Sequence, residues 1–300
     1  MQFQNLLTVL DKPKHAQSAL DLTMALQERN DATVELLSFC WNPLIGERTA
    51  LAAEERRMIK SKTIKQRKDW LRALMAGRQL NDAAITSKAV WTDEIATWVT
   101  DYAGEQKADL IIKSSHPSQT LLHTPLDWEL LRKSPVPVLL TNAKKPSKKG
   151  KQKTKIVLAA IDLRHQDKRH QRLNERVVAA ANDYATLIGA KLACVSAIEV
   201  STVLKDLDVI DPKRVQRRLL AQNKDALQKL LAPYDIPKSR QHFPIGKAGL
   251  AVNQIARKLG AELLVVGTNS KRLSSRLGLG NSAERILSRA ATDVLAVTPS

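Results

Sequence analysis

Two tandem α/β domains, each an open five-stranded parallel sheet with helices on both faces, are the fold that this 300-residue sequence predicts. Three observations predict it. Continuous apolar runs alternate with amphipathic stretches, the pattern of a parallel sheet covered on both sides. The whole succession occurs twice, with landmarks offset by 151 residues at Asp11 and Asp162 and by 156 at Val138 and Val294. A lysine-rich stretch without apolar periodicity separates the copies, so residues 1–143 and 154–300 read as domains and 144–153 as a solvated linker.

The elements follow in matched order. Residues 3–10 form a first strand that runs into Asp11, and residues 155–161 form its counterpart before Asp162. After an amphipathic helix come second strands at 33–40 and 190–197, then long charged helical stretches around 47–76 and 205–232. Third strands are expected at 84–91 and around 241–245, fourth strands at 108–112 and 261–266, and fifth strands at 136–141 and 293–298. Open parallel sheets bind ligands beyond the carboxyl ends of their strands, where the strand order reverses. The loops after Leu10, Ile112, Ile161 and Val266 are therefore the places to look.

The net charge of +18 is unevenly placed. Residues 1–143 hold 18 Lys and Arg against 17 Asp and Glu, the linker holds six Lys and no acid, and residues 154–300 hold 24 against 13. Such an asymmetry suits an anionic partner, and equally a soluble protein with a basic surface. No apolar run approaches the roughly 18 residues that would span a bilayer, and residues 1–5 lack the pattern of a secretory signal. Cys40 and Cys194 are the only cysteines, which excludes a disulfide framework and Cys-rich metal sites. Both are expected to be buried on second strands, and a reducing, cytoplasmic setting is expected.

One loop has the makings of an anion site. After the fourth strand of the second half, residues 267–284 hold Gly267, Gly278 and Gly280, with Lys271, Arg272 and Arg276 nearby, and lead into a helix expected at 283–290. Glycines admit close backbone approach, and a helix start offers unpaired N–H groups. Asn281, three residues before Glu284, has capping-box spacing. A flexible Gly/Ser loop capped by Asn281 fits the same residues. The run Gly278-Leu279-Gly280-Asn281-Ser282-Ala283 matches a dinucleotide fingerprint only in letters, because no strand directly precedes it. Ile245-Gly246-Lys247-Ala248 lacks the first glycine and the Ser/Thr of a P-loop and reads as a strand-to-helix turn.

The duplicated architecture, the Asp after each first strand and Gly267-x2-Ser270-x9-Gly280-Asn281-Ser282 resemble the universal stress protein family in its tandem, two-domain type. Thr124-Pro125-Leu126-Asp127-Trp128-Glu129-Leu130-Leu131-Arg132-Lys133 is similar to a segment of that type. The resemblance implies Rossmann-like (adenine nucleotide alpha hydrolase-like) domains and a role in stress resistance without strong catalysis. It also implies association through the fifth strands, as an intramolecular pseudo-dimer or a homodimer. Nucleotide-binding members carry G-x2-G-x9-G-(S/T). By that resemblance Asp162 lies near adenine and ribose, Val195 near the base, and Gly267, Ser270, Gly280, Asn281 and Ser282 around the phosphates of ATP or a related phosphorylated ligand, with Mg only if ATP binds. This sequence departs at Ser270, which replaces the second Gly, and at Asn281, which stands at the Ser/Thr position. The first-half stretch, Ser114 to Pro125, has no glycine and includes Pro117 and Pro125, which lack N–H donors, so a nucleotide site there is not expected although Asp11 remains.

Other residues carry less. His15, His116, His123, His165, His170 and His242 form no metal-ligand pattern, and His165 and His170 are expected in a solvated loop. Ser114, Ser115 and His116 are adjacent in sequence, which does not make a nucleophile and base. All five tryptophans (Trp41, Trp70, Trp91, Trp98, Trp128) fall in the first half, for core packing or for lining an apolar, lipid-like ligand pocket. The competing reading is a nucleic-acid binder that uses the linker and the basic second half, although no nucleic-acid motif is present.

Overall fold

The computed structural model describes residues 3–45, 51–80, 82–115, 125–142, 154–165, 167–200, 211–268 and 281–299. Among the described residues, the chain divides into two compact units, one for each sequence copy.

The first unit contains β1 (Asn5–Val9), α1 (Ser18–Asn30), β2 (Thr33–Phe39), α2 (Ala53–Gly77), β3 (Ile85–Val90), α3 (Ile95–Glu105), β4 (Leu110–Ser115), α4 (Pro125–Lys133) and β5 (Val138–Asn142). Its strands run parallel in the order β3-β2-β1-β4-β5. The second contains β6 (Ile156–Ala160), α5 (Lys168–Leu187), β7 (Lys191–Val195), α6 (Pro212–Leu230), β8 (Gln241–His242), α7 (Ala248–Leu259), β9 (Leu263–Gly267), α8 (Asn281–Leu287) and β10 (Asp293–Val297). Its parallel order is β10-β9-β6-β7-β8. Strand order reverses between β1 and β4 in the first unit and between β6 and β9 in the second, which fixes one crevice in each.

Local chemistry explains the elements. Central strands are buried along their length, as in Leu263-Leu264-Val265-Val266 and Leu110 to Ser115; the first reads as an unbroken apolar run, while the second is apolar to Ile112 and continues through Lys113, Ser114 and Ser115. Asp167 caps α5 by accepting from the N–H groups of Arg169 and His170, and Asp211 caps α6 with Pro212 at its first turn. Glu55 reaches back to the N–H of Ala52 at the start of α2, at 2.8 Å. Between α7 and α8 the backbone approach is close: a Cβ on Gly249 would lie 2.6 Å from Cβ of Arg285. There Asn253 donates to the carbonyls of both Gly249 and Ile286, at 2.9 and 3.0 Å.

Four expectations need correction. β4 runs on to Ser115, so Ser114 and Ser115 are strand residues rather than loop residues. β8 is only two residues long: Pro244 has no N–H to give, and pairing resumes as an isolated bridge between Ile198 and Ile245. His170 lies in the first turn of α5, because the Asp167 cap starts the helix before it. α8 begins at Asn281, which makes Asn281 a helical residue rather than the cap that precedes one. Cys194 is in β7, while Cys40 lies just beyond the end of β2. Both are buried, and burial pushes the Cys194 thiol up to about 12.

Candidate functional site

The second crevice is built by β6, β7 and β9. Register aligns their ends: Ala160 pairs with Val195 on one side and Val266 on the other. The chain then leaves β6 through Ile161, whose N–H donates to the carbonyl of Val195 at 2.9 Å. Asp162 follows, beyond the edge of the sheet. Its backbone is held at both polar groups by Asn174 of α5, which accepts from its N–H at 3.2 Å and donates to its carbonyl at 2.8 Å. The carboxylate takes no part in those bonds.

Arg164 occupies that carboxylate. Nε donates to Oδ1 of Asp162 at 2.9 Å and Nη2 to Oδ2 at 2.7 Å, a two-pronged pair. The same Nη2 donates to Oγ of Ser282 at 2.7 Å, and Nη1 to Oε2 of Glu199 at 3.3 Å. One guanidinium thus joins the loop after β6, the segment after β7 and the first turn of α8. Burial works to raise the Asp162 pKa, but the hydrogen bonds and charge of Arg164 outweigh it, with a smaller contribution from His165, and hold the carboxyl below its ordinary value. The hydrogen bond to Asp162 in turn raises the Arg164 pKa against the opposing effect of burial.

The sign for stability follows from the depressed folded value. The contribution is present above the unfolded pKa of Asp162 and is lost as pH falls through the folded value. Arg164→Gln removes the opposing charge and leaves burial in place. The Asp162 carboxyl, followed by carbon NMR, is expected to titrate at higher pH in this variant than in the parent. An unchanged titration would contradict the assignment.

Of the residues expected at the site, Asp162 and Ser282 come together through Arg164. Val195 lies at the end of β7 with its side chain fully buried in the core. Gly267 ends β9, and a Cβ there would meet Cγ of Leu173 at 2.8 Å, so its bareness accommodates α5 against the strand. Ser270 and Gly280 lie outside the described residues, as does the side chain of Asn281. The pattern-based reading missed Arg164, Glu199 and Asn174. Only Arg164 had a local signal, an acid and a base two residues apart in a loop after a strand.

The first crevice is arranged differently. Gln17 takes the place of Asn174, accepting from the N–H of Asp11 at 3.1 Å and donating to the carbonyls of Asp11, Lys12 and His15. Ser114 stands where the second half has Gly267, and its hydroxyl accepts from the N–H of Ala19 at 2.9 Å, closing β4 onto the start of α1. Next to it, Lys113 forms a buried ion pair with Asp127 of α4 at 2.7 Å, and Ser115 donates to the other carboxylate oxygen at 3.3 Å. Trp98 stacks on Tyr102 with centroids 4.6 Å apart and meets the edge of Phe39 at 5.7 Å. It is engaged in packing between α3 and the sheet.

Among the described residues, no group of three or more His, Cys, Asp or Glu side chains could hold a metal ion. No described helix is long and apolar enough to cross a membrane.

Comparison with known proteins covers both halves. A model described as the universal stress protein family matches residues 2–142 and 153–298. The chain is 26% identical to universal stress protein E of Escherichia coli strain K12, over 99% of this chain and 94% of the relative. Against universal stress protein A homolog 1 of Coxiella burnetii it is 35% identical over 145 residues, 48% of this chain and 95% of the relative. Among solved structures, a protein of unknown function from Pseudomonas aeruginosa superposes with a TM-score of 0.74 at 22% identity, covering 99% of this chain and 93% of the other. A universal stress protein from Archaeoglobus fulgidus gives 0.63 at 14% identity, with both chains fully covered. At those identities the structural likeness speaks for the fold alone.

Proposed function

The chain belongs to the universal stress protein family, and from that premise we propose that it is a non-catalytic, cytoplasmic stress-response binding protein. Its second half takes ATP or a related phosphorylated ligand in the crevice between β6 and β9. The observation that carries this reading is the guanidinium of Arg164, 2.7 Å from Ser282 Oγ across the strand-order reversal. A phosphate oxygen is a better partner for that fork than a neutral hydroxyl, because charge-assisted hydrogen bonds are shorter and stronger. Binding would exchange the serine for phosphate while Arg164 keeps its two-pronged pair with Asp162. Mg would enter with the triphosphate. In the first half, Ser114 and Ala19 close the equivalent position, so one ligand per chain is expected.

Titration of the purified full chain with a fluorescent ATP analogue should saturate at one site per chain. Gly280→Asp, which adds a side chain and a negative charge to the loop, should weaken it at least tenfold. Absence of saturable binding up to millimolar ATP would overturn the nucleotide reading and leave the fold untouched.

A further inference from the structure

The exposed face of α6 carries a charge that neither the crevice nor the fold uses. Lys213, Arg214, Arg217, Arg218, Lys224 and Lys229 are all exposed, with Asp225 as the one acid on that face of the helix. The opposite face holds Asn223 and Leu227, which are buried, and the half-buried Val215, Leu219, Leu220 and Ala226. The helix is therefore anchored on its apolar side and presents its basic side outward. A merely solvated helix usually mixes signs, so that i,i+4 pairs neutralise one another. Here, among the described residues, none of the six cations is held in an ion pair; Asp211, at the helix start, spends its carboxylate on the N–H of Lys213 at 2.8 Å.

The matching helix of the first half makes the contrast. Exposed cations also occur on α2, but Glu54, Glu55 and Asp69 share its surface, Arg72 pairs with Asp69 at 2.8 Å, and Arg67 is turned in to Ser38 at 2.9 Å. Six exposed cations therefore face three exposed acids on α2, against six to one on α6.

We propose that this face of α6 binds the phosphate backbone of duplex nucleic acid without reading its sequence. From Lys213 to Lys229 the helix advances by about 24 Å. A duplex presents one phosphate charge per about 1.7 Å of axis, so the face lies against roughly fourteen of them. The exposed residues between the cations are Ala221, Gln222, Asp225 and Gln228. With no aromatic ring among them to stack on bases, the contacts fall on the backbone. An anionic membrane is the less suitable surface: among the described residues the exposed large apolar side chains are Trp41, Met58, Ile245 and Leu250, none of them on α6 to enter the headgroup region.

The test measures fluorescence anisotropy of a labelled 20-base-pair duplex with the full chain across a salt series. Binding should weaken linearly in log K against log salt with a slope near −0.9 per phosphate contact. The fourfold variant Lys213→Gln/Arg214→Gln/Arg217→Gln/Arg218→Gln should bind at least tenfold more weakly and lose about 3.6 from that slope, four contacts at 0.9 each. The substitutions are exposed and leave the Asp211 cap in place. The control Lys62→Gln/Lys65→Gln/Lys68→Gln on α2 should change little. An equal loss in the control, no loss in the fourfold variant, or binding to phosphatidylserine vesicles but not to duplex would each overturn the proposal. ATP binding is measured on the same proteins, so its failure is separately visible.

Discussion

Asp127→Ala is expected to destabilise the first half by about 3–5 kcal/mol, the cost of leaving a buried charge without its partner. Lys113 and Asp127 are 8% and 0% exposed, with 2.7 Å between Nζ and Oδ1. Once Asp127 is gone, the ammonium keeps the carbonyl of Ser114 at 2.8 Å and no longer has that countercharge. The duplication supplies the control. Register places Lys113 opposite Val9 and Val266 opposite Ala160, so the two occupy equivalent positions beside the first strand of each half. Along the following helix, Asp127, Leu130 and Leu131 are buried, as are Ala283, Ile286 and Leu287. The second half therefore holds Val266 and Ala283 where the first holds Lys113 and Asp127. The double variant Lys113→Val/Asp127→Ala should return to within about 1 kcal/mol of the parent or exceed it, because an apolar replacement of a whole buried pair is often neutral or stabilising. All five tryptophans lie in the first half, so urea unfolding followed by tryptophan fluorescence reads that half directly. Additive losses in the double variant would show that the pair is not coupled in this way.

That pair also marks where sequence reading runs out. The central strands were legible because a parallel sheet buried on both faces forces apolar runs, and because the duplication provides each run twice. The carboxyl ends of the strands, and hence the crevice around Asp162, followed from topology. Side chains that meet only in three dimensions were not legible. Arg164 reaches Ser282, 118 positions away, and Lys113 reads as the residue that ends the apolar run at Ile112 until its pairing with Asp127 is seen. Gly267 was legible as a required glycine, but not the cause. A glycine admits a ligand and a neighbouring helix equally well, and the letters alone do not distinguish them.

Gly267→Val is expected to cost the second half about 1–3 kcal/mol through overpacking, and that cost should depend on Leu173. An ideal Cβ at Gly267 lies 2.8 Å from Cγ of Leu173 and 2.9 Å from Cδ2, inside van der Waals contact, and Leu173 is itself 8% exposed with little room to withdraw. Leu173→Ala alone should destabilise by about 2–5 kcal/mol, as truncation of a buried leucine usually does. Combined, the two substitutions fill part of the vacated volume with the new valine, so the double variant should be more stable than the sum of the singles predicts, by about 0.5–3 kcal/mol of coupling. Amide hydrogen exchange in α5 and β9 measures this in the half that contains no tryptophan. A strictly additive result would remove Leu173 as the reason for the glycine. The same double variant also separates the two roles of Gly267. With strand and helix accommodated again, intact ATP binding would assign the glycine wholly to packing against α5. Loss of binding at restored stability would mean that the bare backbone at the end of β9 is needed by the ligand as well.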